Sequence, residues 1–127
     1  MDSIYKVQTR KSLGDAVEDV KMKLQENGFG TLFELNFKDK VKEKGFEIED
    51  NFVLLEVCNP SIASGILQED IEVGYILPCK VVVYEKGRSR YIGLLKPSAL
   101  VDLLDPSFGA MAKQVEATLI RSIDESV

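Results

Sequence analysis

Histidine is absent from this chain of 127 residues. Its absence removes the commonest general base and metal ligand, together with every Ser-His and Cys-His nucleophile pair. Much of hydrolase chemistry is thereby excluded. Cysteine is scarce, with only 2 in the chain. A structural zinc site normally takes four ligands and often a closely spaced cysteine doublet, so neither a zinc site nor any other cofactor is expected. A soft monovalent metal held by two thiolates, or a site shared across a dimer, is the one metal alternative this composition leaves.

Basic residues do not dominate either: 16 Lys and Arg against 21 Asp and Glu leave a net charge of -5. That balance opposes binding to a phosphate backbone, where affinity comes from clustered bases that release counterions. No apolar run approaches the roughly 20 residues that span a bilayer. The start, Met1-Asp2-Ser3-Ile4-Tyr5-Lys6, has no basic segment followed by an apolar stretch. Nucleic acid and membrane are thus not expected as partners, and the expected location is the cytoplasm. Cysteines there are usually reduced, and a free cysteine is often simply a small buried hydrophobe.

What is present is an ordinary globular composition, 45% apolar and 29% charged. The length suits one domain over residues 1–127, large enough to bury roughly two-thirds of its surface without a disulfide or a metal. Residues 3–9 alternate apolar and polar as a half-buried strand does. Ser12 offers an N-cap with Asp15 three residues on, and Leu13, Ala16, Val17, Val20 and Leu24 follow at helical spacing up to the stop at Asn27-Gly28. A second strand is read over 29–37, with Phe33, Leu35 and Phe37 on one face and Leu32 and Glu34 on the other. A short helical turn over 38–44, closed by Gly45, follows it.

The run 52–58 is apolar enough for a central strand. Asn59-Pro60 ends it as cap and first residue of a helix carrying Ile62, Ala63, Ile66 and Leu67. Residues 72–84 read as a strand approach broken at Pro78, with a strong strand from Cys79 to Glu85. Lys86-Gly87-Arg88 then turns the chain into a strand over 89–95. Pro97 opens a helix to Leu104, and Pro106 opens another to about Ile123, with Phe108, Met111, Ala112, Val115, Leu119 and Ile123 in a stripe. The order β-α-β-(α)-β-α-β-β-α-α ends its strands in an antiparallel pair, so the class is α+β.

Cys58 and Cys79 sit where strands meet turns, in Cys58-Asn59-Pro60 and Leu77-Pro78-Cys79. If the two strands are neighbours, the thiols approach and could act as a reversible disulfide, a metal-binding pair, or a nucleophile with its resolving partner. A helix N-terminus after Cys58 and the charge of Lys80 beside Cys79 would favour thiolate. Alternation sets Cys79 with Val81 and Val83, which equally reads as core. Cys58, Asn59, Pro60, Cys79 and Lys80 are accordingly the candidate binding residues, with no catalytic residue assigned. Gly28-Phe29-Gly30 lies at a helix end leading into a strand, the reverse of a phosphate loop. Glu34 and Glu56 could point into a concave pocket, although a solvated strand face explains them as well. Tyr75, Tyr84 and Tyr91 could line a ligand cleft between sheet and helices, against the default of cross-strand packing.

Gly28-Phe29-Gly30, then Cys58-Asn59-Pro60 with Ala63 and Leu67, then Leu77-Pro78-Cys79-Lys80-Val81-Val82-Val83-Tyr84-Glu85, closely resemble the domain of unknown function 302 family. The resemblance runs from Tyr5 to Ile123. It implies a curved, mainly antiparallel sheet with helices packed on one side, similar to the TATA-binding-protein-like fold, and a homodimer. It assigns no activity, and only Cys58, Asn59, Pro60, Pro78 and Cys79 occupy its motif positions. The chain departs from it at Lys96, where relatives often carry an acidic residue, so a role needing a carboxylate there does not transfer. The functional expectation is a non-enzymatic accessory module that holds a small-molecule ligand or a partner against the sheet. A thiol-dependent redox-responsive or soft-metal-binding protein using Cys58 and Cys79 is the alternative.

Overall fold

The computed structural model describes residues 2–127. Alternating residues form β1 (Ile4–Thr9), whose inward positions end on the buried Thr9. The hydroxyl of Ser12 accepts from the Asp15 amide at 3.1 Å and starts α1 (Leu13–Glu26). Gly28, at φ 92°, ends the helix in the left-handed region that a side chain rarely adopts. β2 (Gly30–Asn36) follows, then α2 (Phe37–Lys42), β3 (Phe52–Cys58) and α3 (Pro60–Glu69). A 3-10 segment, Ile71–Ile76, precedes β4 (Cys79–Lys86) and β5 (Ser89–Leu95). Gly87, at φ 63°, takes the first place in the two-residue loop between them. α4 (Pro97–Leu104), a 3-10 turn at Pro106–Phe108 and α5 (Gly109–Asp124) complete the order.

The strands make one sheet in the order β1-β5-β4-β3-β2, every neighbouring pair antiparallel. The three central strands send Val53, Leu55, Val57, Val81, Val83, Ile92 and Leu94 to one side. There they meet Ala16, Val17, Val20 and Leu24 of α1 and Val115, Leu119 and Ile123 of α5 in one buried cluster. A fully buried Leu or Val contributes roughly 1.5–3 kcal/mol, so this cluster is the main source of stability. The fold is therefore α+β, a five-stranded open antiparallel sheet with its long helices on one side. Among the described residues no helix is long and apolar enough to cross a membrane.

Four local expectations are corrected. The strand approach expected before Pro78 is the 3-10 segment: the Asp70 carboxylate accepts from the Glu72 amide at 3.1 Å, and three-residue periodicity aligns the buried Val73 with Ile76. Phe37 belongs to α2 rather than β2, because the Asn36 side chain caps the Lys38 amide at 3.0 Å. Leu32 does not share a face with Glu34, because a register shift between Thr31 and Phe33 leaves it 66% exposed at a bulge. The last helix starts at Gly109 because Asp105 caps a separate turn at Ser107.

Candidate functional site

The two cysteine tripeptides converge at one end of the sheet. β3 and β4 are neighbours, and Cys79 is the cross-strand partner of Val57, the residue before Cys58. Asn59 caps α3, its side-chain oxygen accepting from Ser61 N at 3.1 Å and Ile62 N at 3.3 Å, and Pro60 takes the first turn. Leu77-Pro78 is a cis peptide. Cys58, Asn59 and Cys79 line a narrow apolar cleft with Ile62, Ile66 and Met111. Its free volume of about 20 Å³ has room for roughly one water molecule.

This surrounding works against ionisation. Burial pushes the Cys79 thiol up to about 11, and the proximity of Cys58 adds repulsion between the two charges. Thiolate is the form that attacks and ligates, so Cys79 is the inert species at neutral pH. Pleat alternation sets Cys79 on the helix side with Val81 and Val83, while Cys58 follows the inward-facing Val57 and is out of phase with it. Among the described residues no group of three or more His, Cys, Asp or Glu side chains gathers that could hold a metal ion.

Lys80 does not join this cleft. Strand alternation turns it to the opposite face, where its ammonium pairs with Glu56 at 2.8 Å. Its charge therefore serves Glu56 rather than the Cys79 sulfur. Glu34 stays at the helix side of the edge strand, paired with Lys21 of α1 at 2.7 Å.

The open face holds the larger feature. Strand register aligns Lys6, Gly93, Val82, Leu54 and Leu35 as one row across all five strands. Beside it, Tyr91, Tyr84 and Phe52 form an aromatic wall, stacked at centroid distances of 5.5 Å each, with Phe37 meeting Phe52 edge-on at 6.0 Å. The opposite wall is built by Ile4 and Leu95, with Lys80 at its rim. Between the walls runs a groove of about 310 Å³, floored by Leu54, Val82 and Gly93. Gly93 sets its depth: a methyl there would come within 3.3 Å of both the Tyr5 carbonyl oxygen and Val82 Cγ2. At the end of the floor row, the Lys6 ammonium lies 4.9 Å from the centre of the Tyr91 ring.

The cleft between sheet and helices expected to hold three tyrosines is not formed. Tyr84 and Tyr91 sit on the open face, because their positions in the pleat alternate with the core residues Val83 and Ile92. Tyr75 stands 84% exposed on the 3-10 segment. Sequence reasoning passed over Lys6, Leu54, Val82 and Gly93. The available signal was that β3, β4 and β5 are apolar on both faces, more than strands covered by helices on one side require.

An open antiparallel sheet with its long helices along one face and an apolar groove along the other places the protein in the α+β class. The family model described as Domain of unknown function DUF302 matches residues 5–126, and the chain belongs to that family. It is similar to the crystal structure of an uncharacterized conserved DUF302 protein from Bacillus stearothermophilus, at 34% sequence identity over 100% of both chains and a TM-score of 0.95. A search of curated proteins finds no match. The family fixes the fold, and function has to be argued from the sites.

Proposed function

We propose that this protein is a non-enzymatic binding module that receives a small ligand or a partner on the open face of its sheet. The observation that carries this reading is the groove over Leu54, Val82 and Gly93. Its volume of about 310 Å³ falls at the lower end of small-molecule sites, and its lining is apolar with one cation at the rim, the usual composition of such sites. It includes neither sulfur. Titration with a neutral naphthylamine dye tests the reading: saturable one-to-one fluorescence enhancement that is lost in Val82→Asp, with the circular dichroism unchanged, supports it. Enhancement that survives Val82→Asp would contradict it.

The thiol-dependent reading has one supporting observation, that Cys58 and Cys79 line the same cleft, with Cys58 close enough to add to the upward shift of the Cys79 thiol. The burial that keeps Cys79 protonated weighs against it. Homodimerisation is a proposal of the same standing, and β1 supports it by offering a regular six-residue edge, whereas the β2 edge is broken by the Leu32 bulge.

A further inference from the structure

From the charge left over along the groove we infer that its ligand is an anionic amphiphile: an aliphatic chain lying on the floor row with a carboxylate-type head at Lys6. The inference rests on the binding reading above and adds the chemical class of what is bound. Among the charged side chains of the groove rows, Lys80 and Glu56 neutralise each other at 2.8 Å. Lys6 is left without an ion-pair partner among the described residues and is held only over the Tyr91 ring. A chain with net charge -5 thus presents one uncompensated cation on the edge strand, directly across from Gly93 at the end of the row that floors the apolar trough.

The dimensions agree with this class. From Leu54 through Val82 and Gly93 to Lys6 the floor crosses three inter-strand spacings, about 14 Å, the reach of a medium-chain acid. Leu54 and Val82, with Ile4 and Leu95 on one side and the Tyr84 ring on the other, present apolar atoms to a methylene chain. The Lys6 ammonium supplies the charge-assisted hydrogen bond that a carboxylate accepts. A quaternary ammonium head would meet like charge at the same position.

The test compares decanoate, decanol and decyltrimethylammonium, each below its micelle concentration, against the isotope-labelled full chain by amide and methyl shift mapping. Decanoate should move Leu54, Val82 and Gly93, bind at least about tenfold more tightly than decanol, and lose that preference in Lys6→Glu. The two neutral arms, decanol with the native chain and decanol with Lys6→Glu, should agree and show that the variant keeps its groove. Equal affinity for decanoate and decanol, or tighter binding of the cation, would overturn the anionic assignment while leaving the binding reading intact. No shift on the open face with any of the three compounds would overturn the binding reading itself. A dimer whose interface protects Leu54 and Val82 would overturn the inference by making a second copy the occupant.

Discussion

Tyr84 and Tyr91 face each other across β4 and β5 with ring centroids 5.5 Å apart, and this stack supports Tyr84 where it lines the open-face groove. Phe52 continues the stack on the other side of Tyr84 at the same spacing of 5.5 Å. Tyr84 is therefore the central ring of the wall, and its neighbours fix its position. Each such aromatic pair adds about 0.5–1.5 kcal/mol beyond buried area. Tyr84→Leu keeps an apolar side chain but removes both pairs, so it should lower stability by about 1–3 kcal/mol. Urea unfolding measures this, and binding of the dye should weaken in parallel.

The elevated Cys79 value predicts alkaline weakening. In the folded chain the thiol ionises at about 11 instead of 9.0. The folded state therefore holds the proton more tightly, and its advantage is complete below pH 9 and is lost as pH rises through 11. The loss should reach about 2–3 kcal/mol over that window. Tyr5 acts in the same direction at higher pH, since its hydrogen bond to Asp124 moves it from 10.0 to about 12. Denaturation midpoints followed from pH 8 to 11 should fall for the native chain and fall less for Cys79→Ala. Alkylation of native Cys79 should be slow at pH 7.5.

Glu85 sets the acid side. Its carboxylate accepts from the Asn51 side chain at 2.7 Å and the Asn51 amide at 3.1 Å, and it pairs with Arg90 at 2.8 Å. These bonds, the Asn51 side chain first and Arg90 next, bring its pKa from 4.5 down to about 2. The stabilisation is complete above pH 4.5 and is lost as pH falls through 2. Thermal unfolding between pH 5 and 2 should therefore show a steeper decline for the native chain than for Glu85→Gln.

Two helix starts predict opposite signs. Asn59 caps α3 with two hydrogen bonds, so Asn59→Ala should cost about 1 kcal/mol. Lys96 holds the same position at α4, before Pro97, and makes no side-chain cap bond. An acidic residue there would cap the helix and interact favourably with its N-terminal dipole. Lys96→Asp should stabilise by roughly 0.5–2 kcal/mol, read from thermal and urea midpoints.

The elements that sequence reveals here are the ones with local causes. β3 over Phe52–Cys58 and the Asn59-Pro60 helix start are legible because the apolar run, cap and proline are contiguous. The 3-10 segment was hidden because Val73 and Ile76 fit a strand-like apolar run, and the capping by Asp70 decides between the two. The groove was hidden for a different reason. Gly93, Val82 and Leu54 become neighbours only through the register of three strands, and Lys6 joins them from the far end of the chain. Cys79 and Lys80, adjacent in sequence and read as one candidate site, are separated by the pleat into an interior cleft and an exterior rim.

The two faces of the sheet can be told apart directly by mapping backbone and methyl shifts of the labelled chain during titration with the neutral naphthylamine dye. A ligand held on the open face should move Leu54, Val82, Tyr84 and Gly93 in a saturable way and leave Cys58, Ile62, Cys79 and Met111 in place. Shifts concentrated at Cys58, Ile62, Cys79 and Met111, with Val82 and Gly93 unmoved, would contradict the open-face site and assign binding to the cleft beneath the helices.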